Sequence, residues 1–230
     1  MPVVPTLSSP FLNRMRARRS RFAWRLREQA RAAGKRGLDL VLVLPALLLL
    51  SPLLALVALA IRIGDGGPAL FWQRRVGRHG VEFDFPKFRS MRVDAEAVRA
   101  QLLAANQHGS AGVTFKIKRD PRITPIGRWL RRFSIDELPQ LWCVLRGDMS
   151  LVGPRPPLIN EVARYTLRER QRLAVTPGLT CIWQVNGRSE VAFPQQLQMD
   201  LAYIQQPSLW ADVRLILQTL PAVIRGRGAY

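Results

Sequence analysis

The stretch LVLVLPALLLLSPLLALVALAI, residues 40–61, decides the fold of this chain. It contains no charged residue, and fifteen of its positions are Leu, Val or Ile. Each of those residues favours insertion into a bilayer by roughly 0.5 kcal/mol, so the stretch is predicted to enter a membrane. It is too long for a secretory signal peptide and no small-residue cleavage site follows it. It also lacks the polar face that a helix on a core surface would show.

Prolines interrupt this apolar stretch, and Ser51-Pro52 lies near its middle. Proline removes a helical hydrogen bond, so a kink is predicted there. The arms before and after it would each reach about half the ~30 Å thickness of the hydrocarbon core. Basic residues flank both ends, whereas a spanning helix should have them mainly on one side. These features favour a re-entrant helix-break-helix over residues 35–63, with a transmembrane span as the alternative.

A basic leader, residues 1–34, precedes the membrane segment. Ten basic residues and one acidic residue occur between positions 11 and 36, interleaved with apolar and aromatic side chains. Such a segment is either a solvated tail or an arm on an anionic leaflet, where each basic group contributes about 1 kcal/mol. The apolar stretch that follows favours the leaflet.

The whole chain has 230 residues and a formal net charge of +19, which calls for a polyanionic partner such as nucleic acid, anionic lipid or a phosphorylated substrate. No zinc knuckle, aromatic RNA-binding signature or recognition-helix motif occurs, so no nucleic-acid partner is expected. The two cysteines form no spacing motif and suggest no disulfide framework. A reducing compartment is therefore predicted for the domain that follows the membrane segment, residues 64–230.

Two short strands and a terminal helix are predicted in that domain. Residues 69–75 and 81–85 flank Gly77-Arg78-His79-Gly80 and are typical of a β-hairpin. Near the end of the chain, apolar side chains from Leu209 to Leu220 recur at helical spacing. This last helix either faces a core or lies at the membrane interface.

The candidate catalytic residues are two adjacent carboxylates, Asp136 and Glu137, preceded by seven basic residues between positions 116 and 132. One alternative is structural: Ser134 and Glu137 would form a capping box at the start of a helix that runs to about Leu145. The cationic surroundings favour phosphate chemistry instead. A carboxylate can attack phosphorus, and its neighbour can hold Mg²⁺ together with substrate phosphates.

A single arginine, Arg155, lies between Pro154 and Pro156. The prolines restrict the backbone and would present the guanidinium in one pose. Arginine suits bidentate binding of phosphate, so the motif predicts a phosphate contact. The alternative is an ordinary turn with an incidental arginine.

Together these segments resemble the bacterial sugar transferase family, the monotopic polyprenyl-phosphate phosphoglycosyl transferases. The resemblance runs from Lys35 to Tyr230, with one departure at Cys181, where the family usually has glycine. The motifs that carry it are Lys35-Arg36 with Asp39, Ser51-Pro52, Lys87-Phe88-Arg89-Ser90-Met91, Asp120-Pro121-Arg122-Ile123-Thr124, Ser134-Ile135-Asp136-Glu137-Leu138-Pro139-Gln140, Gly153-Pro154-Arg155-Pro156, Pro177-Gly178-Leu179-Thr180 and Gln184-Val185-Asn186-Gly187-Arg188.

The resemblance implies a mostly α-helical α+β protein with a small β-hairpin. It implies a monotopic membrane protein, kinked at Ser51 and Pro52, whose cytosolic catalytic domain carries interfacial helices. It also implies a two-step reaction through a covalent sugar-phosphate on Asp136, with Glu137 as the Mg²⁺ ligand. The other residues expected to bind substrate or phosphate are Arg131, Arg155, Arg188, Lys87, Arg89 and Asp200.

The implied reaction transfers a sugar-1-phosphate, expected to be a hexose-1-phosphate, from a UDP-sugar to undecaprenyl phosphate. It would yield UMP and start exopolysaccharide, O-antigen or capsule synthesis at the cytoplasmic face of the bacterial inner membrane. Anionic lipids are expected partners, and a homodimer is one open alternative. A membrane-tethered nucleic-acid-binding protein and a non-catalytic glycan-assembly scaffold are the rival functions. The presence of both Asp136 and Glu137 argues against a scaffold.

Overall fold

The computed structural model describes residues 10–95, 97 and 120–226, with the side chains of residues 10–21, 24, 25 and 65 outside that description. The chain divides into two compact units, residues 1–38 and 39–230. Lys116, Lys118 and Arg119 of the predicted basic cluster lie outside the described residues. The predicted division at residues 34 and 63 stays a prediction.

The first helix, α1, runs from Pro10 to Asp65 and continues through Pro52. Proline has no N–H, so the Leu48 carbonyl, four residues before Pro52, lacks its usual backbone donor. The Ser51 hydroxyl donates to that carbonyl at 2.8 Å. The side chain thus replaces the hydrogen bond that the proline removes. The predicted kink and re-entrant path at Ser51-Pro52 stay predictions.

The described residues include one helix that is long and apolar enough to cross a membrane, the part of α1 from Leu26 to Gly64. Within the second unit, side chains at helical spacing from Val43 to Ile61 pack against the residues that follow α1. Other large apolar side chains of α1 are exposed, and Leu48 and Leu49 reach 75% and 77% exposure. A bilayer, rather than water, is the expected neighbour of so large an apolar surface.

Short helices and strands build the remainder of the second unit. After α1, the elements are β1 (Leu70–Val76), a 3₁₀ turn (Arg78–Gly80), β2 (Glu82–Phe88), α2 (Pro125–Arg132), a 3₁₀ helix (Ile135–Gln140), α3 (Leu141–Arg146), β3 (Ser150–Val152), α4 (Ile159–Val162), α5 (Leu167–Arg170), a 3₁₀ turn (Gln171–Ala174), β4 (Gly178–Thr180), α6 (Ile182–Val185), a 3₁₀ turn (Arg188–Glu190), α7 (Phe193–Gln205) and α8 (Leu209–Arg225). This confirms the mostly helical architecture, the hairpin and the terminal helix.

Strands β1 and β2 pair antiparallel, with Leu70 opposite Phe88 and Val76 opposite Glu82. Alternate side chains of a strand point to opposite faces of the sheet. Phe85 joins a buried cluster around Val43 of α1, and Phe88 joins a second cluster further along α1. The hairpin is therefore held against α1 by apolar side chains from both faces of β2.

A second strand pair, which the sequence analysis did not predict, joins β3 and β4 in parallel. Asp39 of α1 is buried against β3. Its Oδ1 accepts hydrogen bonds from the Ser150 hydroxyl at 3.0 Å and from the Leu151 amide at 2.9 Å. Since β3 leads directly into the turn that carries Arg155, this carboxylate ties α1 to the strand before that turn.

Replacing Asp39 with alanine should lower the free energy of unfolding by about 1–3 kcal/mol, because two buried donors would lose their common acceptor. Denaturation of the detergent-solubilised protein measures the loss. Asp94→Ala, at an exposed position, is the matched control and should change stability by less than about 0.5 kcal/mol. Equal stabilities of the two variants would show that the Asp39 hydrogen bonds do not hold α1 to β3.

Candidate active site

The two candidate carboxylates lie on the 3₁₀ helix Ile135–Gln140, which packs against β2. Ser134 precedes this helix in the left-handed conformation, with φ 54°, and its side chain makes no capping hydrogen bond among the described residues. A capping side chain normally requires an extended backbone at that position. The capping-box alternative is therefore wrong. The predicted helix to about Leu145 is present as two consecutive pieces, the 3₁₀ helix Ile135–Gln140 and α3, which ends at Arg146.

Glu137 is held by two cations from different parts of the chain. Arg155 donates through Nη2 to Oε1 at 2.5 Å and through Nη1 to Oε2 at 3.3 Å. This is the two-pronged geometry by which arginine binds a carboxylate. The Lys87 Nζ lies 3.8 Å from Oε1. Arg155 comes from the turn after β3 and Lys87 from β2, so the site joins the hairpin to the second strand pair.

The same surroundings affect the two carboxyl groups in opposite ways. Burial raises the pKa of Asp136, and the charge of Glu137 raises it further. Burial also acts to raise the pKa of Glu137, but Arg155 and Lys87 outweigh it and hold that pKa at about 2. Glu137 is thus a fixed anion, whereas the Asp136 carboxylate is the more basic of the two. Such a separation of two neighbouring acids is a frequent property of catalytic pairs.

The same surroundings also shift the pKa of Lys87. Burial and the nearby charge of Arg155 lower the pKa of Lys87 to about 7, against the opposing effect of Glu137. An ammonium group beside an arginine in a poorly hydrated site is costly unless further negative charge is present. The cations around Glu137 are therefore suited to receive an anion such as a diphosphate.

Arg131 reaches the site from α2. Thr124 caps that helix by accepting from the Gly127 amide at 3.0 Å. The Arg131 Nε donates to the Ser90 hydroxyl at 2.9 Å. Burial lowers the pKa of Arg131, and the negative charge of Asp136 opposes that shift, which shows that the two side chains are within electrostatic reach.

Arg188 approaches from the 3₁₀ turn Arg188–Glu190 with a left-handed backbone, φ 52°. Partial burial lowers the pKa of Arg188, while Glu137 and Asp136 act to raise it. The structure thus brings the predicted residues Lys87 and Arg155 into contact with Glu137, and the charges of the two carboxylates act on the pKa values of Arg131 and Arg188.

Two other predicted site residues have different surroundings. Arg89 is buried, and its guanidinium lies so close to Gly67 that a Cβ there would be 2.1 Å from Nη1. Asp200 is fully buried and accepts from Arg172 through Oδ2 at 2.7 and 2.8 Å. The described contacts thus pair Asp200 with Arg172, and the predicted substrate roles of Arg89 and Asp200 stay predictions.

Residues 30–226 match the model of the bacterial sugar transferase family. The chain belongs to this family. It is 51% identical over 166 residues to the galactosyl transferase CpsE of Streptococcus agalactiae. It is 42% identical over 198 residues to the undecaprenyl-phosphate galactose phosphotransferase of Salmonella typhimurium. It is 38% identical over 198 residues to the exopolysaccharide production protein ExoY of Rhizobium meliloti.

These similarities cover the relatives to different extents. The aligned part is 72% of this chain but 36% of CpsE, and 85% of this chain but 41% of the Salmonella protein. For ExoY the aligned part is 85% of this chain and 88% of the relative. The chain therefore spans less than half of the first two relatives and most of the third. The predicted family is confirmed.

Mg²⁺ is the expected metal, and the donors among the described residues limit how it could be held. Within the described ranges, no group of three or more His, Cys, Asp or Glu side chains could hold a metal ion by itself. Mg²⁺ is commonly held by one or two carboxylates, with substrate phosphates and water completing its shell. Adjacent carboxylates at 136 and 137 fit such a substrate-completed site. They do not fit a closed, structural metal site.

Gln73 and Arg75 were not recognised in the sequence analysis, although both lie at the site. The Arg75 Cζ is 5.1 Å from the centre of the Phe85 ring, and the Lys87 Nζ is 5.3 Å from the same centre. Burial, followed by the charge of Arg155, lowers the pKa of Arg75 to about 10. The alternation of β1 places Gln73 and Arg75 on one face, and the register with β2 shows that this face also carries Lys87.

Replacing Gly127 with alanine should reduce the free energy of unfolding by about 1–3 kcal/mol, since the new methyl group must displace α2. The Cβ would be 2.0 Å from the Ser90 carbonyl oxygen, beside the hydroxyl that binds Arg131. Gly37→Ala is the matched control, because nothing lies within 4 Å of its Cβ and alanine is the better helix former. Denaturation of both variants in detergent checks the difference. A Gly127→Ala protein as stable as the control would contradict this close approach of α2.

Proposed function

We propose that this sugar transferase moves a hexose-1-phosphate from a UDP-sugar to undecaprenyl phosphate, with Asp136 as the nucleophile. The observation that carries the proposal is the buried carboxylate of Asp136 beside the Glu137 anion, which Arg155 and Lys87 hold. Names of relatives support the substrates. The Salmonella protein is an undecaprenyl-phosphate galactose phosphotransferase. A protein of Caulobacter vibrioides, 41% identical over 206 residues, is a UDP-glucose:undecaprenyl-phosphate glucose-1-phosphate transferase.

In the first proposed step, a carboxylate oxygen of Asp136 attacks the phosphorus that carries the sugar. The bond from this phosphorus to the oxygen shared with the nucleotide breaks, and that oxygen leaves as part of UMP. The sugar-phosphate remains on Asp136 as a mixed anhydride of a carboxylic and a phosphoric acid. Because burial raises the pKa of Asp136, its ionised form is more basic, and therefore more nucleophilic, than an ordinary aspartate.

In the second proposed step, a phosphate oxygen of undecaprenyl phosphate attacks the same phosphorus. The bond from that phosphorus to the Asp136 oxygen breaks and restores the carboxylate. The product is a sugar joined to undecaprenyl diphosphate. Neither step requires a net proton transfer or a redox partner, so the residues around Asp136 need only bind, orient and neutralise charge.

That neutralisation is assigned to the cations around Glu137. Lys87, Arg155 and Arg188 would stabilise the negative charge that gathers on the departing phosphate, the usual role of cations fixed in a poorly hydrated site. Glu137 would hold Mg²⁺, which adds positive charge at the diphosphate when bound. Arg131 lies within electrostatic reach of Asp136 and would orient the phosphate next to it.

Asp136→Asn tests the nucleophile most directly. The amide is nearly the same size and should leave the fold intact, but it cannot form the anhydride, so turnover should be lost. Purified protein is given a UDP-sugar labelled in its sugar-phosphate, without lipid. The unaltered enzyme should release UMP and retain label on the protein, whereas Asp136→Asn should do neither.

Asp84→Asn is the control, because this aspartate is exposed on the hairpin. It should release UMP and retain label as the unaltered enzyme does. If UMP release requires undecaprenyl phosphate under every condition, direct transfer replaces the covalent route. If no UDP-sugar gives UMP with or without lipid, the proposed donor is wrong.

The proposed setting is the cytoplasmic face of the bacterial inner membrane, with α1 entering and leaving by the same face. Basic residues on both sides of the apolar stretch support this path, because they favour the cytoplasmic side. The bond from Ser51 to the Leu48 carbonyl also supports it, since a bend inside hydrocarbon requires satisfied backbone groups. Anionic lipids would attract the basic leader.

Helix α8 is proposed to lie on the same membrane surface. Trp210, Leu217 and Ile224 follow one another at seven-residue spacing and are 76%, 62% and 70% exposed. Asp212 and Leu215 are buried on the opposite side. An amphipathic helix with Trp, Leu and Ile on its outer side is typical of an interfacial helix.

Cysteine labelling in intact cells tests the topology. Cysteines placed at Arg19 and at Gly66 should both be protected from a membrane-impermeant reagent if α1 is re-entrant. The native Cys143 and Cys181 are buried and should contribute little background. Labelling at one position but not the other would establish a span. Pro52→Leu should straighten the helix and shift the pattern towards that of a span.

A further inference from the structure

The Arg75 guanidinium makes three hydrogen bonds that together fix its plane. Nε and Nη2 donate to the side-chain oxygen of Gln73 at 3.0 and 2.8 Å. Nη1 donates to the Pro156 carbonyl oxygen at 2.8 Å. Pro156 adjoins Arg155, so a side chain of β1 contacts the backbone next to the arginine that holds Glu137.

Apolar packing limits how far this guanidinium can move. Arg75 lies opposite Phe83 in the hairpin register, and its Cζ is 5.1 Å from the centre of the Phe85 ring. Phe85 is fully buried. The guanidinium is therefore enclosed by an aromatic ring, a glutamine and a proline carbonyl.

Backbone hydrogen bonds hold both ends of the turn that carries Arg155. The Gly178 amide donates to the Pro154 carbonyl at 2.9 Å, and the Val76 amide donates to the Pro157 carbonyl at 3.0 Å. Between these two backbone hydrogen bonds, the Pro156 carbonyl accepts a hydrogen bond from the Arg75 side chain of the hairpin. Without the Arg75 contact, the peptide group after Pro156 could rotate, and the backbone that follows Arg155 would be less restrained.

We propose that Gln73 and Arg75 are positioning residues: Gln73 orients Arg75, and Arg75 holds the turn 154–157 so that Arg155 faces Glu137. The effect on turnover rests on the proposed function, whereas the effect on the turn does not. Neither residue needs to touch the substrate. Their contribution is to keep one guanidinium aligned before the donor arrives, and misalignment of about 1 Å can reduce a rate by about a hundredfold.

The test compares three variants of the full chain in detergent. Gln73→Leu removes both acceptor contacts at similar volume, and Gln73→Glu keeps an oxygen that can accept them. Arg75→Lys keeps the charge but loses the planar fork, and it serves as a second disruptive variant if Gln73→Leu folds poorly. Gln198→Leu, at an exposed position of α7, is the matched control.

Hydrogen exchange of the Gly153, Arg155 and Leu158 amides reports on the turn without any assumption about the reaction, because the other residues between 153 and 158 are prolines without an N–H. It should become faster in Gln73→Leu and Arg75→Lys and stay unchanged in Gln73→Glu and Gln198→Leu. UMP release should fall about tenfold or more in the first two variants and stay within about threefold in the others. Unchanged exchange in both disruptive variants would overturn the proposal.

A double-mutant cycle with Arg155→Lys tests whether the effect passes through Arg155. If it does, adding Gln73→Leu to Arg155→Lys should cost much less than it costs in the unaltered enzyme, because coupled residues are non-additive. If the fold-losses in UMP release of the two single variants simply multiply in the double variant, the coupling is overturned. If the unaltered enzyme turns over no UDP-sugar while hydrogen exchange still responds to Gln73→Leu, the proposed function fails. The positioning of the turn by Gln73 and Arg75 then still stands.

Discussion

The ion pair between Glu137 and Arg155 fixes the charge of the site on which the other side chains depend. Glu137 is about four-fifths buried, so its anionic form requires compensation, which Arg155 and Lys87 supply. Once Glu137 is fixed as an anion, its charge and the low hydration together make the neighbouring Asp136 more basic. The excess of cations that remains favours a phosphorylated ligand. One ion pair thus keeps one acid ionised and adds to the effect of burial on the pKa of the other.

Strand β2 contributes side chains both to the polar site and to the packing against α1. Phe85 of β2 packs towards α1, and Lys87, two residues later, contacts Glu137. Phe88, on the opposite face, joins the second apolar cluster on α1. A one-residue slip of β2 would therefore turn Glu82 and Asp84 inward and Phe83 and Phe85 outward. The apolar packing that holds the hairpin to α1 also sets the register that brings Lys87 to the carboxylates.

Local patterns predicted much of this arrangement. The polarity alternation around residues 69–85, the apolar spacing after Leu209 and the grouping of Asp136 with basic residues were visible in short segments. The pairing of β3 with β4 was not, because strands of three residues show no periodicity and their partner is far along the chain. The capping box failed because Ser134 adopts a left-handed conformation that its residue type does not reveal. Gln73, Arg75 and the Arg172–Asp200 pair depend on tertiary contacts.

The hydrogen bond from Ser51 to the Leu48 carbonyl has a consequence for biogenesis. A proline in a membrane helix commonly relies on a neighbouring helix or on water to satisfy the carbonyl it leaves without a donor. Here the donor is the residue immediately before the proline, so it is available as soon as that turn forms. Insertion of this segment into a bilayer would therefore not have to wait for the residues that follow α1. A nascent chain could settle its apolar segment in lipid while the residues after Asp65 are still being synthesised.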